Sequence, residues 1–203
     1  MTSLRHNSQQ GDAEREPGDA YLDAARACIL DVGWRRTTLT EVARRAGVSR
    51  MTIYRSWADM PTLLGDLMTR EWAGVVLAAV ADEDVDQPAV ERLVSTVVTT
   101  VRVLRDNELF VRIGEFDPEL ILPYLLSRRG RSQDLVLDVT EREIAEGQAR
   151  GEIRTGNPTA IARSLLLAAH GFVLSAHTMV GSGVSEADLE AELTLLLTRA
   201  LRP

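Results

Sequence analysis

Hydrophobic positions recur at intervals of three and four residues along most of this chain, which is the period of amphipathic helices, and no run alternates with the two-residue period of a half-buried strand. Ala24, Ala25, Cys28, Ile29 and Val32 form the apolar stripe of a first helix, expected over 19–32, with Gly33 as its stop. Leu39, Val42, Ala43 and Ala46 share one face of a short second helix, and Ile53 and Trp57 are the buried side of a third. Leu63, Leu64, Leu67, Met68 and Trp72 run along a fourth, reaching to about residue 81. The segment 88–105 is rich in β-branched residues, yet Val90, Leu93, Val94, Val97, Val98, Val101 and Leu104 keep helical spacing over a length unusual for a strand. Further helices are expected at about 109–116, 118–128, 131–150, 157–180 and 185–201. The fold class is therefore all-α. Residues 1–18 are polar, end in Pro17-Gly18 and read as a disordered arm, 19–66 form a small N-terminal unit, and 67–203 form a larger helical one. The acidic run 82–86 reads as a loop at a boundary.

The ends of these helices are written in the sequence by capping chemistry. Thr38 followed by Glu41 makes a capping box, so a helix starts at Leu39. Gly47 stands where that helix must end in a left-handed conformation, and Ser49 is an N-cap for the next, beginning at Arg50. Val48 plugs the corner between the two, and the small Ala43 lets them approach. Asp59 with Pro61, Asn157 with Pro158, and Ser185 with Asp188 mark later helix starts, and Asp117 is expected to cap the segment that begins at Pro118. Two short helices joined by a tight glycine turn form a helix-turn-helix, whose second helix offers its N-terminal residues to base edges in the major groove. Arg50, Met51, Thr52, Tyr54 and Arg55 fall on the outer faces of that helix.

Charge strengthens this reading. Between Gly33 and Trp57 lie six arginines (35, 36, 44, 45, 50 and 55) against the single acid Glu41, a basic island in a chain of net charge −7. Such an island is an electrostatic footprint for phosphate. Arg44 and Arg45 sit on the helix that crosses the backbone and are expected to position the protein, while Arg50 is the leading candidate to pair with a guanine. Every basic residue is arginine; lysine is absent. Hydrophobic residues make up 45% of the 203 residues but aromatics only 4%, so the core is aliphatic. The single cysteine, Cys28, excludes an internal disulfide and is read as core. There is no unbroken apolar run of 18 residues and no secretory signal pattern, which points away from a membrane partner and toward the cytoplasm.

The pattern Thr-x-x-Glu-Val-Ala-x-x-Ala-Gly-Val-Ser-x-x-Thr-Ile-Tyr, spanning Thr38 to Tyr54 within a three-helix N-terminal unit, resembles the TetR family of bacterial transcription regulators. The resemblance implies an N-terminal helix-turn-helix DNA-binding domain and a C-terminal helical ligand-binding and dimerisation domain. It implies a homodimeric repressor whose last two helices, about 157–180 and 185–201, form a four-helix bundle with those of a second copy. It also implies a double-stranded, pseudo-palindromic operator and a small-molecule effector that releases it. Carried over by position, Thr38 and Tyr54 contact phosphates, Arg50, Met51 and Thr52 face bases, and Arg55 reaches a base or a phosphate, with Ser49 also counted among the DNA-binding residues. The family's common lysine at the start of the fourth helix is missing, since Ala58-Asp59-Met60 stand there. The effector pocket is expected among Met68, Trp72, Phe110, Phe116, Tyr124, His170 and Phe172, with Met179 a further large apolar residue of this unit.

His170 and His177, seven apart on one expected helix, are separated by about 10.5 Å, too far to share one metal ion without other ligands. No metal site and no cofactor are expected. The chain shows no phosphate-binding glycine loop, no nucleophile elbow and no cysteine–histidine pairing, so catalytic residues are not expected either. The remaining alternative is a protein-interaction module on a degenerate helix-turn-helix that lacks sequence-specific DNA binding.

Overall fold

The computed structural model describes residues 17–81 and 87–203. The expected arm and the acidic loop 82–86 lie outside the described residues, apart from Pro17 and Gly18, which open the first helix. Ten α-helices and no strand occur among the described residues: α1 Pro17–Val32, α2 Leu39–Arg45, α3 Arg50–Ser56, α4 Met60–Ala81, α5 Ala89–Arg105, α6 Glu108–Phe116, α7 Leu122–Leu126, α8 Arg131–Ala149, α9 Pro158–Ser175 and α10 Glu186–Leu201. A 3₁₀ turn, Trp34–Arg36, joins α1 to α2.

Most helix starts are the capped ones. Side chains of Thr38, Ser49, Asn157 and Ser185 each accept a hydrogen bond from the backbone N–H three residues on. Asp59 does the same for Thr62 at 2.8 Å. Asn107 caps α6 through Phe110 N–H at 3.0 Å, so that helix opens one residue earlier than the apolar pattern alone indicates. The β-branched segment is a helix throughout, because its apolar stripe is buried against α8, α9 and α10.

Two apolar clusters form the interior. The first joins α1–α4 with Leu109 and Ile113 of α6 and with Ile121. The second joins α5, α8, α9 and α10, and Phe110 packs on both. Helix α4 runs unbroken through residue 66, where the sequence places the domain boundary, and α6 completes the core of the N-terminal unit from the other side of that boundary. At Gly147 of α8, a Cβ would stand 2.6 Å from the Ile153 side chain, so glycine allows the 151–154 segment to close against the helix.

Three expectations are corrected. The segment 118–128 is not one helix: Pro118–Leu120 is a 3₁₀ turn, followed by the short α7, and the nitrogen of Pro123, inside the expected span, has no hydrogen to donate to a continuous ladder. Asp117 does not cap it. Its buried carboxylate instead pairs with Arg35 at 3.3 Å, across from the turn between α1 and α2. The helix expected to reach residue 180 ends at Ser175 and tightens into a 3₁₀ turn, Ala176–Met179, so His177 does not share an α-helical face with His170. By length and composition alone, Pro158–Met179 (22 residues, mean hydropathy 1.4) resembles a bilayer crossing, with Arg163 and His170 interrupting the apolar run, and this leaves the expectation of no membrane partner standing. Only 28% of its most apolar window is buried, which leaves an outward-facing apolar side.

Candidate nucleic-acid interface and effector cavity

The reading head is built by local chemistry on a small core. Val42 and Ala43 of α2 and Ile53 of α3 are fully buried, and Leu39 is nearly so. Gly47 adopts φ +69°, the left-handed region that costs a side chain most, and Val48 N–H then donates to Ala43 C=O at 3.0 Å to close the corner. Ser49 Oγ accepts from Thr52 N–H at 3.2 Å. With Ile53 inward, Arg50, Met51, Tyr54 and Arg55 face solvent, Met51 being 66% exposed, and Thr52 is half-buried with its hydroxyl 2.9 Å from that of Ser49. Thr38 is exposed and committed to its cap.

The basic island is smaller than a count of arginines suggests. Arg44 forms a two-point pair with Glu41 at 2.6 and 2.9 Å, and its guanidinium holds that carboxyl below the usual range. The capping residue Glu41 therefore turns toward Arg44 and leaves the reciprocal half of its box unmade. Arg45 pairs with Asp31 of α1. Arg35 reaches Glu119 at 2.7 Å as well as Asp117. Arg36 donates to Val32 C=O at 2.9 Å. Arg50 and Arg55 have no ion-pair partner among the described residues, and Arg36 meets only a neutral carbonyl, so the unneutralised charge of the head lies along α3 and at the turn before α2.

Trp57 closes α3 and is buried, edge-on to Tyr21 with ring centroids 6.3 Å apart. Its indole N–H donates to Asp66 Oδ2 at 2.7 Å, and the other oxygen of Asp66 takes Arg131 at the start of α8. A buried tryptophan needs an acceptor, and that need was the available signal, but nothing in the spacing singled out Asp66. Asp66→Ala is expected to lower stability by about 1–2 kcal/mol, the lower part of the range for an orphaned donor because the carboxylate is partly exposed. Asp66→Asn, which keeps an acceptor, should recover most of it, as read by thermal unfolding.

The body of the protein encloses a cavity of about 120 Å³ among α4–α9. Trp72, Phe110, Tyr124 and His170 line it, as the sequence suggested for these four. Met68 instead lines a second, neighbouring cavity of about 480 Å³, together with Trp72 and Tyr124. Phe116 lines neither; it is 58% exposed at the end of α6 with the Arg112 guanidinium 4.6 Å above its ring, because the helix terminates before the ring can turn inward. Phe172 packs on the second apolar cluster and lines neither cavity, and Met179 is largely exposed. The apolar cavity has few polar groups. Thr100 Oγ1 is buried without a hydrogen-bond partner. Gln133, buried, spends its carbonyl on Gly130 N–H at 2.8 Å and its amide N–H on Tyr124 C=O at 3.2 Å, with His170 Nε2 3.4 Å away. Burial pushes the His170 imidazole below its ordinary value, so it is neutral at pH 7. Burial likewise raises the Cys28 thiol, which is core.

A three-helix head with an outward, positively charged second helix on an all-α body is the architecture of a helix-turn-helix transcription regulator. Residues 22–67 match the family model described as bacterial regulatory proteins, tetR family. Over 179 residues the chain is 34% identical to an HTH-type transcriptional regulator of Mycobacterium tuberculosis, covering 88% of this chain and 91% of that one. The fold is that of the fatty acid degradation regulator FadR from Bacillus halodurans, with a TM-score of 0.66 at 16% identity over 91% of this chain and 96% of that one. FadR from Bacillus subtilis, solved in complex with stearoyl-CoA, superposes with a TM-score of 0.65 at 16% identity over 90% and 98% of the two chains. The chain belongs to the TetR family of HTH-type transcription regulators.

Proposed function

We propose that this regulator is a homodimeric repressor that binds a pseudo-palindromic operator and leaves it when a small molecule fills the apolar cavity. The observation that carries the reading is the outer face of α3, where Arg50, Met51, Tyr54 and Arg55 are exposed and the two arginines have no acid partner among the described residues. In this reading Arg50 reads guanine, Met51 and Thr52 lie against neighbouring base edges, and Arg55 reaches a base or a phosphate. Thr38, Ser49, Tyr54, Arg44 and Arg45 hold the phosphate backbone. Residues 19–66 act as the head and 67–203 as the sensing and dimerising body. Two heads about 34 Å apart reach successive major grooves, which one short helix could not do with useful affinity.

The dimer is formed by α9 and α10. Both pack on α5, and both leave leucines facing outward, with Leu167 70% and Leu196 59% exposed. The cavity reaches the head through α4, which walls it with Trp72 and continues up to the head, and through α6, which supplies Phe110 to the cavity and Leu109 and Ile113 to the head core. The Bacillus subtilis relative in the stearoyl-CoA complex supports a ligand-responsive body. A ligand that weakens DNA binding must itself be weakened by DNA to the same extent.

Selection of random duplex DNA by the purified protein at near-physiological salt tests this reading. Recovery of an inverted repeat is the expected result. Arg50→Ala should relax preference at one position of each half-site by about 1–3 kcal/mol. Arg45→Ala should weaken all sequences alike. Binding that shows no sequence preference, or none that responds to salt, would favour the interaction-module reading.

A further inference from the structure

The apolar cavity has the wrong chemistry for an anion but the right chemistry for an aliphatic chain. No arginine lines it while the carboxylate of Glu143 does, His170 is neutral, and Gln133 and Thr100 add only uncharged polar groups. A carboxylate placed there would lose its hydration with nothing to compensate. The larger cavity beside it is different. The two share Trp72, Ile121, Tyr124, Ser132 and Gln133 among their lining residues, so they adjoin. The larger one also brings together Arg128, Arg129 and Arg131 beside the first turn of the nineteen-residue α8. Its one acid, Glu119, is already held by Arg35 at 2.7 Å.

The three arginines are not equivalent. Arg129 pairs with Asp134 at 2.9 Å and Arg131 pairs with Asp66. Arg128 has no acid partner among the described residues; its guanidinium lies 5.0 Å from the centre of the Tyr124 ring, and Tyr124 lines both cavities. We propose that the two cavities form one bipartite site for an amphipathic molecule. Its aliphatic tail occupies the apolar cavity, and its anionic head, a carboxylate or a phosphate, is held by Arg128 at the mouth of the larger one. This rests on the apolar cavity being the effector site. It adds a route to the DNA: an anion near Arg131 competes with Asp66, the same carboxylate that holds the Trp57 indole at the end of α3.

Isothermal titration calorimetry on the full-length protein tests the proposal with dodecanoate, dodecan-1-ol, butyrate and dodecanoyl-coenzyme A. Dodecanoate or its thioester is expected to bind about tenfold or more tightly than the alcohol, the range of a charge-assisted hydrogen bond. The stronger of those two ligands distinguishes a carboxylate from a phosphate head. Arg128 is exposed, so Arg128→Ala should leave the fold intact, abolish that preference and change binding of the alcohol by no more than about twofold. Arg128→Lys should restore part of it. Equal binding of alcohol and anions, or equal weakening of both by Arg128→Ala, would overturn the anionic subsite while leaving the apolar effector cavity standing. Butyrate binding as well as dodecanoate would overturn the role of the tail. No binding by any of the chains would overturn both the bipartite site and the cavity reading beneath it.

Discussion

Changing Leu167 and Leu196 together to glutamate is expected to leave a folded monomer with little affinity for an inverted repeat. Both side chains are mostly exposed in the single chain, so neither replacement opens a hole in the core, and the monomer's own stability should shift by no more than about 0.5 kcal/mol. In a two-fold dimer each substitution occurs twice and meets the same patch on the partner. Four carboxylates would then be brought into a seam that needs to be apolar, and burying unpaired charge costs several kcal/mol. Once the two heads are no longer linked, the second half-site loses its effective concentration, a loss of about 10²–10⁴ in affinity. Sedimentation equilibrium reads the first effect, and fluorescence anisotropy on the selected repeat reads the second. A dimer that survives both substitutions would show that α9 and α10 are not the seam.

Ile53→Ala should be the most damaging single change in the head. Ile53 is fully buried and is the main anchor of a seven-residue helix that has few other inward contacts. A helix this short has no stability of its own in water and is held by packing. Truncating an enclosed isoleucine costs about 2–5 kcal/mol, the upper end applying where neighbours cannot collapse into the gap. Val42, Ala43 and Leu63, all fully buried, are fixed by their own helices. For a chain of this size the midpoint of thermal unfolding should fall by roughly 4–20 °C. DNA binding should fail before unfolding, as the axis of α3 loses its only fully buried side chain. Because α6 shares this core, the loss should also be felt in the body, and a single cooperative transition is expected in calorimetry. An unchanged midpoint would mean that α3 is positioned by Trp57 and its bond to Asp66 alone.

The head was legible because its determinants are local. A cap acts over three residues, a glycine turn over one, and an apolar face over two helical turns, so Thr38, Gly47, Ser49 and Ile53 can be read without knowing what they touch. The same holds for Asp59, Asn157 and Ser185, each of which opens the helix its spacing announces. Pro118 and Asp117 show where such reading stops. An aspartate before a proline looks like a cap, but an arginine 82 positions earlier in the chain reached it first, and no local pattern records that pairing.

Taken by itself, the sequence determined the all-α class, the helix-turn-helix with its outward arginines, and most helix ends, since these depend on neighbours within one or two turns. Tertiary structure alone decided which arginines remain unneutralised. Glu41 is close in sequence to Arg44, but Asp31, Asp117 and Glu119 reach Arg45 and Arg35 only after the chain has folded. It alone decided that Asp66 joins the end of α3 to the start of α8, and that Tyr124 and Trp72 face two cavities while Phe116 faces solvent. The physical reason is the same in each case: charge pairing and cavity walls are set by where distant segments meet, whereas caps and stripes are set by the covalent chain.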